Sequence, residues 1–204
     1  MRPLLKAIGL ILIAMFSIQF GASLAKQIFP IAGPAGLTAL RVTISAILLC
    51  VFAQVWKHKI SWRDMPMIAA YGLSLGFMNL LFYFSLEKIP LGIAVALEFV
   101  GPLSVALLYS KNKWDILWVL LASIGIYLIL PAGDAPEALP LSGVLLALGA
   151  GFFWALYIVF GKAAAKRGES MHVSALGMVF AAFVALPAGF IFNAHEIQNL
   201  SLLP

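Results

Sequence analysis

Apolar residues run through this chain in long blocks, and the polar ones gather between them. Seven apolar stretches can be read, at about 7–28, 35–56, 66–86, 90–110, 114–131, 140–161 and 171–192. Each comes close to the roughly 20 residues a helix needs to cross the hydrocarbon layer of a bilayer. In lipid every backbone amide needs an internal partner, so such blocks are helices; strands would need a closed barrel and an alternating polarity that is missing here. The pattern predicts an all-α polytopic membrane protein with seven transmembrane helices. The first block follows Arg2 and Lys6 as a signal peptide would. It lacks a cleavage site and six more spans follow, so it is read as retained.

Composition agrees with this reading. Sixty-three per cent of the residues are hydrophobic and 10% are charged, far below the roughly 25% charged of a soluble domain. The net charge of +5 is spread over short loops without a basic block or interleaved aromatics, which argues against a nucleic-acid partner. Cys50 is the single cysteine, so no internal disulfide forms and no metal site is suggested. His58, His172 and His195 lie in loops or at span ends without metal-ligand spacing. No nucleophile–base pair, phosphate loop or metal cluster stands out, so neither an enzyme nor a cofactor is expected. The expected partners are the lipid bilayer and a small-molecule substrate; the sequence is silent on oligomeric state.

The charged loops set an orientation. Arg2 and Lys6, then Lys57, Lys59 and Arg63, then Lys111 and Lys113, then Lys162, Lys166 and Arg167 fall on one side of the alternation. The other side carries Glu87 and Lys88, Asp134 and Glu137, and Glu196. The positive-inside rule places the N-terminus in the cytoplasm and Pro204 outside. Trp56, Trp62 and Trp114 then mark cytoplasmic span ends, as interfacial anchors do.

A faint internal repeat is present. Leu37-Thr38-Ala39-Leu40 returns as Val173-Ser174-Ala175-Leu176, a shift of 136 residues. The same shift carries Ala14 to Ala150, Phe16 to Phe152 and Lys26 to Lys162. Five spans separate the two starts, an odd number, so the copies enter the membrane from opposite faces. Inverted repeats are a mark of secondary transporters. The expected division is a five-helix first repeat over 1–136 and an incomplete, two-helix second repeat over 137–204. On this count three helices are missing and the chain is a fragment of a ten-helix protein; the rival is a complete seven-helix protein with chance similarity.

Arg41 and Glu98 are the two charges well inside the apolar spans. Insertion scales put such a charge at roughly 2.5–3.5 kcal/mol for Arg or Asp, and Glu is taken as similar. Both lie roughly 9–12 Å below the outer surface, counted along spans two and four. Equal depth allows a salt bridge that would offset part of the burial cost. Gln19 in span one and Asn79 in span three reach the same layer. Four polar side chains on four helices suit a zwitterion: a cation for its carboxylate, an anion for its ammonium and amides to orient both. The structural alternative is that Arg41 snorkels outward and Glu98 only neutralises it. Lys26, nearer the surface, is read as snorkelling.

Gly101-Pro102 adds a hinge or gate to span four. Proline removes an amide hydrogen and clashes with the carbonyl four residues back, here that of Glu98. The helix is expected to bend there and to free that carbonyl for a ligand, a proton donor or water. Gly72-x-x-x-Gly76, Gly92-x-x-x-Ala96 and Ala147-x-x-x-Gly151 read as close-packing signals. Trp154 and Tyr157 face either the cavity or the lipid.

The stretch Pro90-Leu91-Gly92-Ile93-Ala94-Val95-Ala96-Leu97-Glu98-Phe99-Val100-Gly101-Pro102-Leu103 resembles the fourth helix of threonine/homoserine exporters in the EamA branch of the drug/metabolite transporter superfamily. Residues 17–26, 38–41 and 74–83 are similar to their first, second and third helices, and residues 146–158 to the sixth. The resemblance implies ten helices in two inverted halves, cytoplasmic termini and export of small amino acids from a bacterial cytoplasm. The chain departs from it by ending after helix seven. The expected function is therefore proton-coupled export of threonine, homoserine or similar amino acids across the inner membrane, with Arg41, Glu98, Gln19 and Asn79 binding substrate. The rivals are an EamA-type exporter of another metabolite or drug, and an inactive fragment or non-transporting membrane subunit.

Overall fold

A computed structural model describes residues 2–57, 61–129 and 139–200, with the side chains of 2–7, 11, 28, 31, 113, 129 and 193–200 left undescribed. The expected repeat boundary at 136/137, the charges Lys59, Asp134 and Glu137, and His58 and Pro204 lie outside the described residues; so do the side chains of His195 and Glu196.

The long block of apolar sequence at the start becomes α1 (Arg2–Ala53), broken at Gly33. Gly33 has φ 59° and ψ 164°, a conformation essentially restricted to glycine, and it sits between Pro30 and Pro34. The break leaves two membrane-length limbs, Ile8–Gln27 and Ala32–Ala53. Helices α2 (Met65–Lys88), α3 (Leu91–Glu98), α4 (Val100–Leu108), α5 (Lys113–Ile129), α6 (Leu141–Ala164) and α7 (Ser170–Leu200) follow. Together α3 and α4 form one span, Leu91–Leu108. Among the described residues six spans are long and apolar enough to cross a membrane, and α5 is a shorter apolar helix of 17 residues. At 1.5 Å per residue α5 still reaches roughly 26 Å, close to the hydrocarbon thickness. The protein is all-helical among its described residues, as its hydrophobic pattern predicts.

Helix α1 packs mainly on α7, and α2 packs on α6 and α7. Small side chains make these contacts: Ala39, Val42 and Ala46 of α1 meet Ala181, Ala182 and Ala185 of α7. Gly72 and Gly76 of α2 lie directly against α7, where a Cβ on Gly76 would meet the Ala181 carbonyl at 2.9 Å. Ala147 and Gly151 are buried in α6. Gly92 differs: among the described residues nothing lies within 4 Å of an added Cβ, so no neighbouring helix approaches closely at that glycine.

Contacts between loops fix which span ends lie together. Arg167, between α6 and α7, donates to Asp64 at the start of α2 over 2.8 Å. Lys162 lies 5.0 Å from the centre of the Tyr109 ring at the end of α4. At the other end, the exposed Lys26 ammonium donates to the Ile89 carbonyl just past α2 at 3.4 Å. A Cβ on Gly143 would touch Ile89 and Lys88 there. The cation-rich loops after spans two and six thus share one end of the bundle.

Candidate functional site

The four polar residues expected in one layer share the wall of one cavity. Gln19 from the first limb of α1, Arg41 from its second limb, Asn79 from α2 and Glu98 from α3 line a single cavity of about 340 Å³. Helical spacing puts them there. Leu75, Met78, Asn79 and Phe82 share one face of α2, Val95, Glu98 and Phe99 share one face of the α3–α4 span, and Trp154 and Tyr157 sit three residues apart on α6. Trp154 and Tyr157 therefore face the cavity, not the lipid. The Trp154 ring meets Phe99 edge-on at 5.1 Å.

The ion pair that equal depth allows is not formed. Arg41 donates to the Tyr83 hydroxyl over 2.6 Å, and its guanidinium carbon stands 5.6 Å from the centre of that ring. Tyr83 is 1% exposed and is held by Phe29 at 5.7 Å. A rigid phenol thus fixes the guanidinium without neutralising it, and Glu98 does not serve as its structural lock. Glu98 is 6% exposed, and its carboxylate makes no ion pair among the described residues. The Asn79 amide nitrogen donates to the Leu75 carbonyl at 2.9 Å, which anchors the side chain to its own helix.

Helical spacing places Tyr83 on this face of α2 without singling it out. It lies four residues after Asn79 and so follows it along the same face of α2. Ser45 likewise follows Arg41 by one turn and lines the cavity.

Around Pro102 the helix is interrupted at Phe99, between α3 and α4. The carbonyl that proline frees does not open toward a ligand. A Cβ on Gly151 of α6 would lie 2.7 Å from the Glu98 carbonyl oxygen, and one on Gly101 would collide with the Gly151 carbonyl. Bare glycine backbone from a neighbouring helix lies against the freed carbonyl. Glu98 is seated where α3 packs against the bare backbone of α6 at Gly151.

Membrane-length helices around a cavity that collects polar side chains from four spans define a helical membrane transporter. Relatives make the assignment specific. The chain belongs to the EamA-like transporter family, which it matches over residues 141–203. It is 44% identical over 203 residues to the threonine/homoserine exporter RhtA of Salmonella typhimurium strain LT2, spanning 99% of this chain and 68% of the relative. It is 42% identical over 203 residues, with the same coverage, to RhtA of Escherichia coli strain K12. The uncharacterized transporter YvbV of Bacillus subtilis strain 168 is 26% identical over 204 residues, covering 93% of this chain and 65% of the relative. No solved structure matches the chain.

Proposed function

We propose that this transporter exports threonine, homoserine and related small amino acids across the bacterial inner membrane. The observation that carries the reading is the cavity shared by Arg41, Glu98, Gln19 and Asn79; the names of the two exporters it resembles supply the cargo. Arg41, steadied by Tyr83, takes the carboxylate. Glu98 takes the ammonium or carries a coupling proton. Gln19 and Asn79 orient the solute, and Asn79, its amide nitrogen held by Leu75, offers its oxygen.

The charged loops support a cytoplasmic N-terminus, with the end bearing Asp64 and Arg167 facing the cytoplasm. A first repeat over 1–136 and a second over 137–204 gain support from the cavity wall. Ile18 and Trp154, and Val42 and Met178, are pairs related by the 136-residue shift, and all four line the cavity. A cavity on a pseudo-two-fold axis is what inverted repeats build, and rocking of one half against the other gives alternating access. Gly101 and Pro102 form the hinge in that motion.

Met78, Met178, Phe82 and Trp154 also line the cavity. This adaptable apolar wall favours a second reading, an EamA-type carrier of another metabolite or drug. Cells expressing the protein separate the two. Resistance to inhibitory homoserine and accumulation of threonine in the medium, both lost in Arg41→Ala, support the first reading. Resistance to apolar dyes without either effect supports the second.

A further inference from the structure

A second cavity of about 250 Å³ lies beyond the first and is lined by Tyr71, Tyr157, Gly161, Ser170 and Ser174. It sits at the junction of α6 and α7, at the end of the bundle that bears the Arg167–Asp64 pair. Tyr157 lines both cavities. Its ring stacks on Tyr71, with centroids 5.0 Å apart and planes 24° from parallel. One face of α2 runs from Tyr71 to Leu75, Met78 and Phe82, and one face of α6 runs from Trp154 to Tyr157, Gly161 and Ala165. Both faces lead from the central cavity to the end cavity, and the stacked rings stand where they pass from one to the other.

From this geometry we infer that the Tyr71–Tyr157 pair is the gate between the central cavity and a vestibule at the Asp64–Arg167 end, through which the transported solute passes. The inference rests on the transport reading for what passes, but not for where the barrier lies. The Tyr71 ring is seated in a slot made by two glycines. It lies 3.1 Å from the position of a Cβ on Gly161, and any Cβ on Gly177 would run into it. Tyr71 is 9% exposed, so it is the fixed half of the pair, held between α6 and α7. Tyr157 is half-buried with its ring between two open volumes, and it is the half that can swing. A rotamer change of one aromatic side chain, with a small parting of α6 from α2, opens the passage. Hydroxyls of Ser170 and Ser174 give the vestibule polar groups to receive a hydrated solute.

The test is thiol accessibility in sealed membrane vesicles of both orientations, with Cys50→Ala as background. Ser45→Cys reports on the central cavity and Ser174→Cys on the vestibule. A membrane-impermeant maleimide applied from the Asp64–Arg167 face is expected to label Ser174→Cys readily and Ser45→Cys slowly. Adding Tyr157→Ala or Tyr71→Ala raises Ser45→Cys labelling from that face about two- to tenfold, the factor that loss of one aromatic pair allows. Tyr157→Phe keeps the ring and the protection. Equal labelling of Ser45→Cys and Ser174→Cys with both tyrosines present overturns the gate; that comparison needs no alanine variant to fold. No rise in either alanine variant, with monodisperse elution in detergent, overturns it too. Absence of amino-acid export alongside the expected labelling pattern would count against the proposed cargo and leave the gate standing.

Discussion

Gly151→Ala probes the contact that seats Glu98. The added methyl would lie 2.7 Å from the Glu98 carbonyl oxygen and 3.3 Å from its Cα, both backbone atoms that no rotamer change can move. Restoring an ordinary separation of 3.4 Å requires α3 and α6 to part by about 0.7 Å. In lipid, helices associate by packing and hydrogen bonding without a hydrophobic force between them, so lost complementarity acts directly on stability. Overpacking of this kind costs about 1–3 kcal/mol. Gly92→Ala is the matched control. It lies on α3 itself, and nothing stands within 4 Å of its added Cβ. Alanine improves helix propensity at both sites by up to about 1 kcal/mol. That gain is larger at Gly151, inside α6, than at Gly92 in the first turn of α3, so their difference gives a lower bound on the clash. Reversible unfolding in mixed micelles should show Gly151→Ala less stable than Gly92→Ala by about 1–3 kcal/mol. Export should fall in Gly151→Ala, because Glu98 moves with α3, and hold in Gly92→Ala. Equal stability of the two variants would refute the idea that bare backbone at Gly151 seats this helix.

Four further outcomes are expected. Tyr83→Phe removes the acceptor of the Arg41 hydrogen bond, which as a bond to a charged group is worth about 1.5–3 kcal/mol; uptake into inverted vesicles should show a raised KM for amino acid. Glu98→Gln keeps shape and removes charge, so if Glu98 carries a coupling proton, residual export no longer responds to collapse of the proton gradient, as a protonophore titration would show. Gly33→Ala forces a side chain into a conformation that costs about 1–3 kcal/mol for residues other than glycine, and the loss should appear in the same unfolding assay. Asp64→Asn breaks a pair whose side chains are 23% and 40% exposed, so stability should fall by no more than about 1 kcal/mol, and by less in high salt.

The helical spans were legible in the sequence because lipid imposes one strong rule, and a shared polar cavity wall was legible because helix rise converts residue count into an expected depth. Depth gives no azimuth, however. Arg41 and Glu98 line one cavity, yet counting along two helices could not show that a tyrosine on a third, α2, would hold the guanidinium. The same gap hid the fate of the Glu98 carbonyl. Pro102 announces that it is freed, but only the packing of α6 decides that Gly151, and not a ligand, lies against it. The motif Ala147-x-x-x-Gly151 marked that surface without saying what it met, whereas Gly92-x-x-x-Ala96, an equally good motif, meets nothing at Gly92. Small-residue spacing thus marks where a helix can approach, and the partner's own side chains decide whether one does.

Separation of the two charges bears on the proposed function. A closed Arg41–Glu98 pair would satisfy both groups internally, and a zwitterion would have to break it in order to bind. Here the guanidinium is oriented by a neutral hydroxyl that leaves its charge intact, and the carboxylate is buried without a cation. A buried carboxylate is costly unless hydrogen bonds or charge compensate it, so a cationic group beside Glu98 would offset that cost. A solute carrying both an ammonium and a carboxylate offers a partner to each residue at once, whereas a neutral apolar solute offers a partner to neither. On this account Glu98→Gln and Arg41→Ala should each weaken amino-acid binding but spare or improve binding of an apolar dye. A parallel loss of both would place the two charges in the scaffold and not in recognition.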